Sequence, residues 1–94
     1  RLGKIAKVFG YRVDIEALEN AMDKKGFKVV CLEKKNKISV FTEKKYNKNR
    51  LIQTISKISN LNIRSFSMIK LEHFPRTLNN KISYNELKNI NDRL

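Results

Sequence analysis

The sequence predicts an α+β fold, a small antiparallel or mixed sheet covered by helices, with a β-hairpin at the N-terminus and a lysine-bearing loop near the C-terminus. Three observations predict it. Short β-branched runs alternate with segments of helical apolar spacing; glycine, asparagine and lysine clusters mark the turns between them; and capping residues stand where the helical spacing begins. Residues Lys4 to Val13 alternate loosely around Gly10, with β-branched Ile5, Val8 and Val13, so a hairpin turns near Phe9-Gly10. Asp14 then caps a helix whose apolar positions are Ile15, Leu18, Ala21 and Met22. Lys24 and Lys25 complement the dipole of its last turn, and Gly26 lies just past it.

Phe27 to Glu33 reads as a buried strand, Lys34-Lys35-Asn36-Lys37 as a turn and Ile38 to Thr42 as the returning strand. After the polar stretch Glu43 to Asn49, Leu51, Ile55 and Ile58 recur at helical spacing, Ile52 widens the stripe, and Asn60 lies near the helix end. Ser65 to Leu71 gives another strand, and residues 72–82 an irregular loop. Ser83-Tyr84-Asn85-Glu86 is a capping-box pattern opening a last helix that carries Leu87, Ile90 and Leu94.

At 94 residues this is a single domain, and a chain of that size encloses no large active site. The longest apolar run, Val29 to Leu32, is far short of the roughly 20 residues a membrane span needs. One cysteine and no signal-like start favour a cytoplasmic origin. Twenty-one basic against nine acidic residues give a net charge of +12, which ordinarily suggests a polyanionic partner. The excess is mostly lysine, among abundant asparagine and isoleucine, and reads first as a compositional bias rather than a selected face. No specific nucleic-acid partner is therefore expected. Because Arg1 opens straight into patterned sequence, the chain is expected to be part of a longer protein.

Most familiar catalytic sets are missing: the chain has one His and one Cys, no Gly-x-x-x-x-Gly-Lys phosphate loop, no His-Glu-x-x-His and no Cys pair for zinc. No metal site is expected. His73 has no second ligand or acid partner in the sequence and reads as structural, Cys31 as a buried inert thiol, and Asp14, Glu16 and Glu19 as helix-start charges.

The informative segment is Phe74-Pro75-Arg76-Thr77-Leu78-Asn79-Asn80-Lys81-Ile82-Ser83, a lysine on a turn where Asn79-Asn80 suits left-handed backbone. It resembles the Pro-x-Thr-x-x-Gly-Lys-Ile signature near the C-terminus of the adenylate-forming (AMP-binding) enzymes, the superfamily of acyl-CoA synthetases, luciferases and peptide-synthetase adenylation domains. At the other end, Arg1-Leu2-Gly3-Lys4-Ile5-Ala6-Lys7-Val8-Phe9-Gly10-Tyr11-Arg12-Val13-Asp14 is similar to that superfamily's Gly-Arg-x-Asp-x-x-Ile-Lys-x-x-Gly-x-Arg-Ile-Glu segment. The resemblance spans essentially the whole chain. It departs at Gly3, where the family usually has Asp or Lys, at Asn80 for Gly, at Phe9 for a commonly basic residue, and at Ser83-Tyr84 for Asp-Arg.

The resemblance implies the small, mobile C-terminal domain of an ATP-dependent acid-thiol ligase, inactive alone. Its large N-terminal domain would bind ATP with Mg2+ and the carboxylic acid. Lys81 is implied as the catalytic lysine of adenylation, supported by Pro75, Thr77 and Asn80. Gly3 is implied as the hinge about which the domain rotates before thioester formation. Lys7, Gly10, Tyr11 and Arg12 would then face the thiol, either CoA or the phosphopantetheine of an acyl-carrier protein. Two alternatives stand beside it: a degenerate adenylation-type domain without turnover, and a small basic RNA-binding module of ferredoxin-like topology. For the latter, Lys37-Ile38-Ser39-Val40-Phe41-Thr42 offers a single aromatic and no glycine where the RNA-recognition strand wants several stacking rings.

Overall fold

The structure, a computed structural model, describes residues 5–94. In chain order it has β1 (Ile5–Val8), β2 (Tyr11–Asp14), α1 (Ile15–Lys24), β3 (Val29–Lys34), β4 (Lys37–Thr42), α2 (Lys48–Ser59), a 3-10 turn (Ile63–Ser65), β5 (Phe66–Lys70) and α3 (Tyr84–Arg93). The expected α+β class is the one observed. Strands β1 and β2 form a separate antiparallel hairpin, while β3, β4 and β5 form a mixed sheet with β4 in the centre, antiparallel to β3 and parallel to β5. A parallel neighbour needs a crossover, and α2 supplies it.

Both hairpins close through two residues of positive φ, Phe9 (50°) with Gly10 (86°) and Lys35 (42°) with Asn36 (60°). This is the primed turn whose twist matches paired strands. Gly10 and Asn36 suit such backbone; an aromatic at Phe9 is strained there. Replacing Phe9 by asparagine creates the favoured Asn-Gly pair and is expected to stabilise the fold by about 1 kcal/mol. Thermal unfolding of that variant checks this, as a Tm rise of about 5 °C.

The helix termini follow the expected signals. The Asp14 carboxylate accepts from Ala17 N at 3.1 Å, Asn47 Oδ1 from Arg50 N at 3.0 Å, and Ser83 Oγ from Glu86 N at 3.4 Å. Past α1, Gly26 N donates to Asp23 O and Phe27 N to Met22 O, a Schellman closure. That closure is why β3 begins at Val29 rather than at Phe27. Phe27 lies two residues past the C-cap Lys25, and its ring packs edge-on to Tyr46 with centroids 5.2 Å apart. Asn47 starts α2 at Lys48, inside the stretch read as polar connection. Asn62 caps the 3-10 turn, so β5 starts at Phe66.

Each face of the sheet carries its own apolar cluster. On one side Cys31, Ile38 and Val40 meet Ala6, Val8, Ile15, Leu18, Met22, Leu51 and Ile55 from the hairpin, α1 and α2; on the other Val30, Leu32 and Phe41 meet Phe74 and Leu87. Burial on both faces explains the unbroken apolar run Val29 to Leu32 of β3 and the near-complete burial of β4. The strand arrangement differs from the ferredoxin-like one: β5 lies parallel beside β4, and the β1–β2 hairpin stands outside the sheet.

The free edge of β3 is closed by side chains. Glu19 Oε2 accepts from Cys31 N at 2.7 Å, and Asn91 Nδ2 donates to Glu33 O at 3.2 Å. Asn91 is buried, and its Oδ1 accepts from Ser39 Oγ at 2.6 Å. The last helix was expected to carry Leu94 as an apolar position; Leu94 is instead its C-cap and 61% exposed. The inward position falls on Asn91, because a strand edge with an open carbonyl needs a donor more than another methyl group.

Candidate functional site

Residues 72–82, expected as an irregular loop, are ordered by short-range pairing. Arg76 and Ile82 form an isolated antiparallel bridge. Thr77 N donates to Lys81 O at 2.7 Å, Asn80 N to Thr77 O at 2.9 Å, and Ser83 N to Pro75 O at 2.8 Å. The Thr77 hydroxyl also accepts from Lys81 N at 3.4 Å. Asn80 takes the left-handed backbone, with φ of 63°, which asparagine tolerates through its short polar side chain. Pro75, Thr77 and Asn80 thus take part in the hydrogen bonds that order the loop around Lys81. Lys81 itself is exposed at the tip.

The base of this loop is fixed to the sheet. Glu43, just past β4, accepts from Phe74 N at 2.8 Å and pairs with Arg76 at 3.8 Å. Arg76 Nη1 also donates to Asn80 O at 3.4 Å. Phe74 is buried in the α3-side cluster, and Ile82 and Tyr84 pack against it. The lysine is therefore carried on a tied stalk rather than a free segment. Sequence reasoning missed Glu43 and Arg76. The one signal for Arg76 was its place inside the signature; Glu43 lay in an undifferentiated polar stretch. A cleft of about 390 Å³ opens under the loop, bordered by Glu19, Asp23, Lys28, Glu43, Phe74, Arg76 and Tyr84.

The second group lies on the β1–β2 hairpin. Lys7 and Arg12 are exposed cross-strand partners, so two cations stand directly opposite each other on its outer face. Tyr11 pairs with Val8 but is 69% exposed, and Phe9 at the turn is 71% exposed. A Cβ added at Gly10 would meet nothing within 4 Å. Within this domain the glycine is required by its φ of 86° and not by a close neighbour. Gly3, the expected hinge, lies outside the described residues.

The edge of β1 is held against the β3–β4 hairpin through side chains: Lys7 N donates to Glu33 Oε1 and Phe9 N to Asn36 Oδ1, both at 3.3 Å. This fixes where the two groups sit. The hairpin tip adjoins the Lys35-Asn36 turn, at one end of β3 and β4, while the Lys81 loop is tied through Glu43 to the other end. Five residue steps at about 3.4 Å each separate those ends by about 17 Å. The structure gathers the predicted residues into two groups and does not bring the groups together.

Cys31 is fully buried in β3, as expected. His73 is exposed beside the buried Phe74, so its side chain supports no core packing and the structural role expected of it is not seen. Among the described residues there is no group of three or more His, Cys, Asp or Glu that could hold a metal ion, and no helix long and apolar enough to cross a membrane. No family model matches this chain, and neither does any curated protein.

Proposed function

We propose that this chain is the mobile C-terminal domain of an ATP-dependent acid-thiol ligase, which forms an acyl-adenylate and then transfers the acyl group to a thiol. The observation that carries the reading is the presentation of Lys81: an exposed ammonium on a turn whose base is pinned to the sheet by Glu43 and Phe74. In adenylation a carboxylate attacks the α-phosphate and pyrophosphate leaves. Two anions must approach, and charge grows on the phosphoryl oxygens. A fixed stalk with a flexible cationic end suits that task, since a positioned ammonium stabilises the developing charge and loses little orientation when it arrives.

The separation of the two groups supports a two-step use of the domain. One orientation against a partner domain would bring Lys81 to the phosphoryl centre, and a second would bring Lys7, Gly10, Tyr11 and Arg12 towards the thiol, with Gly3 as the hinge. ATP and its Mg2+, the carboxylic acid and most of the active-site wall belong in this reading to the larger N-terminal domain. CoA and the phosphopantetheine of a carrier protein are the candidate acceptors, and the cytoplasm is the proposed compartment. In the longer protein, carboxylate-dependent exchange of labelled pyrophosphate into ATP is expected, and it should disappear when residues 1–94 are deleted. Exchange that survives the deletion would count against the reading, as would no exchange with any carboxylic acid in a broad panel.

A further inference from the structure

We infer that the end of the molecule built from the two hairpin turns is a binding surface for single-stranded nucleic acid, gripping the phosphodiester chain with cations and stacking bases on Phe9 and Tyr11. The inference does not depend on the ligase reading.

Three features that cost stability converge there. Phe9 holds an aromatic side chain at φ 50°, a conformation unfavourable for any residue with a Cβ. Both Phe9 and Tyr11 expose about seven-tenths of their surface to water. Lys7 and Arg12 face each other as like charges across the ribbon, on the face opposite Val8 and Tyr11, a pairing that weakens a sheet. The bond from Phe9 N to Asn36 then docks this tip onto a second turn, which adds Lys35 with Lys34 and Lys37 on either side of the Lys35-Asn36 pair. Lys88 of α3 and Lys35 border one cleft of about 280 Å³ beside Ile5. The carboxylates on these strands are engaged, Glu33 accepting from Lys7 N and Asp14 capping α1, while the Lys34 ammonium donates to Leu94 O. By contrast, Glu19, Asp23 and Glu43 gather around the cleft near the opposite end.

A surface for an acidic protein would need the cations but not two bare rings on a strained turn. Bases have π-faces, and stacking on aromatic side chains flanked by cations is the sequence-tolerant way to hold a single strand. The covered sheet explains why no recognition-strand motif is legible. The rings here are offered by a ribbon tip, at Phe9 and Tyr11, rather than by a sheet face.

Fluorescence anisotropy of the 94-residue chain with a labelled oligouridine of about 10 nucleotides tests this across a salt series. Binding is expected to weaken with salt, and the Lys7→Gln/Arg12→Gln double variant should lower the log–log slope by about 1.4. Phe9→Asn, whose turn is more favourable, should keep the slope and the fold yet lose at least about fivefold in affinity; Tyr11→Ser should act likewise. Unchanged affinity in both ring variants would overturn the proposal, leaving attraction between charges alone. Polyglutamate competing as well as oligouridine at equal charge would overturn it in favour of an acidic polypeptide. Absence of binding at low salt would also overturn it.

Discussion

In the longer ligase that this reading implies, Lys81→Ala is expected to slow acyl-adenylate formation by about 10²–10³ while leaving the melting temperature of the domain unchanged. The two halves of that expectation have separate causes. Lys81 is exposed, and the bonds that order its turn run through backbone atoms and the Thr77 hydroxyl rather than through the ammonium. Removing the side chain should therefore leave the stalk intact. What is lost is a cation positioned where charge develops, and in a water-poor site such a group contributes far more than in bulk solvent. Lys81→Arg is expected to recover only part of the rate, because a planar guanidinium lacks the compact charge and rotational freedom of an ammonium. Pyrophosphate-exchange rates for parent, alanine and arginine variants, set beside their thermal melts, check both statements.

Phe41→Ala should produce the largest loss of stability. Phe41 lies in the central strand, is fully buried and belongs to the cluster formed with Val30, Leu32, Phe74 and Leu87. Truncating a buried phenylalanine costs about 3–5 kcal/mol, against about 5–15 kcal/mol for the entire stability of a typical domain. A Tm drop of about 15–30 °C is expected by calorimetry or circular dichroism. The same cluster seats Phe74 and Ile82 at the root of the Lys81 loop. Its loss should therefore loosen the loop before the sheet melts, seen as faster amide exchange at Thr77 and Lys81 than at Cys31. A Tm within a few degrees of the parent would mean that the α3-side cluster is not what holds the sheet and the loop together.

The sequence was most readable where local rules and tertiary needs coincide. Asp14, Gly26, Asn60 and Ser83 mark helix ends because caps and left-handed closures are satisfied within a few residues. Ile38 to Thr42 reads as a strand because both its faces are buried. Reading failed where a distant partner decides. Nothing near Asn91 shows that the carbonyl of Glu33 and the hydroxyl of Ser39 await it, so Leu94 looked like the inward residue. Glu43 looked like one more surface acid until the fold brought Phe74 N and Arg76 to it. Phe27 followed the strand pattern, yet the closure of α1 claimed it.

The candidate site divides along the same line. Lys81 and its turn were legible because a turn is local: Thr77, Asn80 and Lys81 bond to one another. The hairpin group was legible as a turn but not as a charged and aromatic surface, since the opposition of Lys7 to Arg12 depends on register and the neighbouring Lys35-Asn36 turn is far away in sequence. The distance between the two groups could not be read at all. It follows from Glu43 and Asn36 standing at opposite ends of the β3–β4 pair.

The most direct test of the lysine's role is to time both half-reactions in one preparation of the longer protein carrying Lys81→Ala, using single-turnover pyrophosphate release for the first and acyl transfer from pre-made adenylate to thiol for the second. The account predicts a first step slower by about two to three orders of magnitude and a second step within a few-fold of the parent. Equal losses in the two steps, or an adenylation rate like that of the parent, would contradict it.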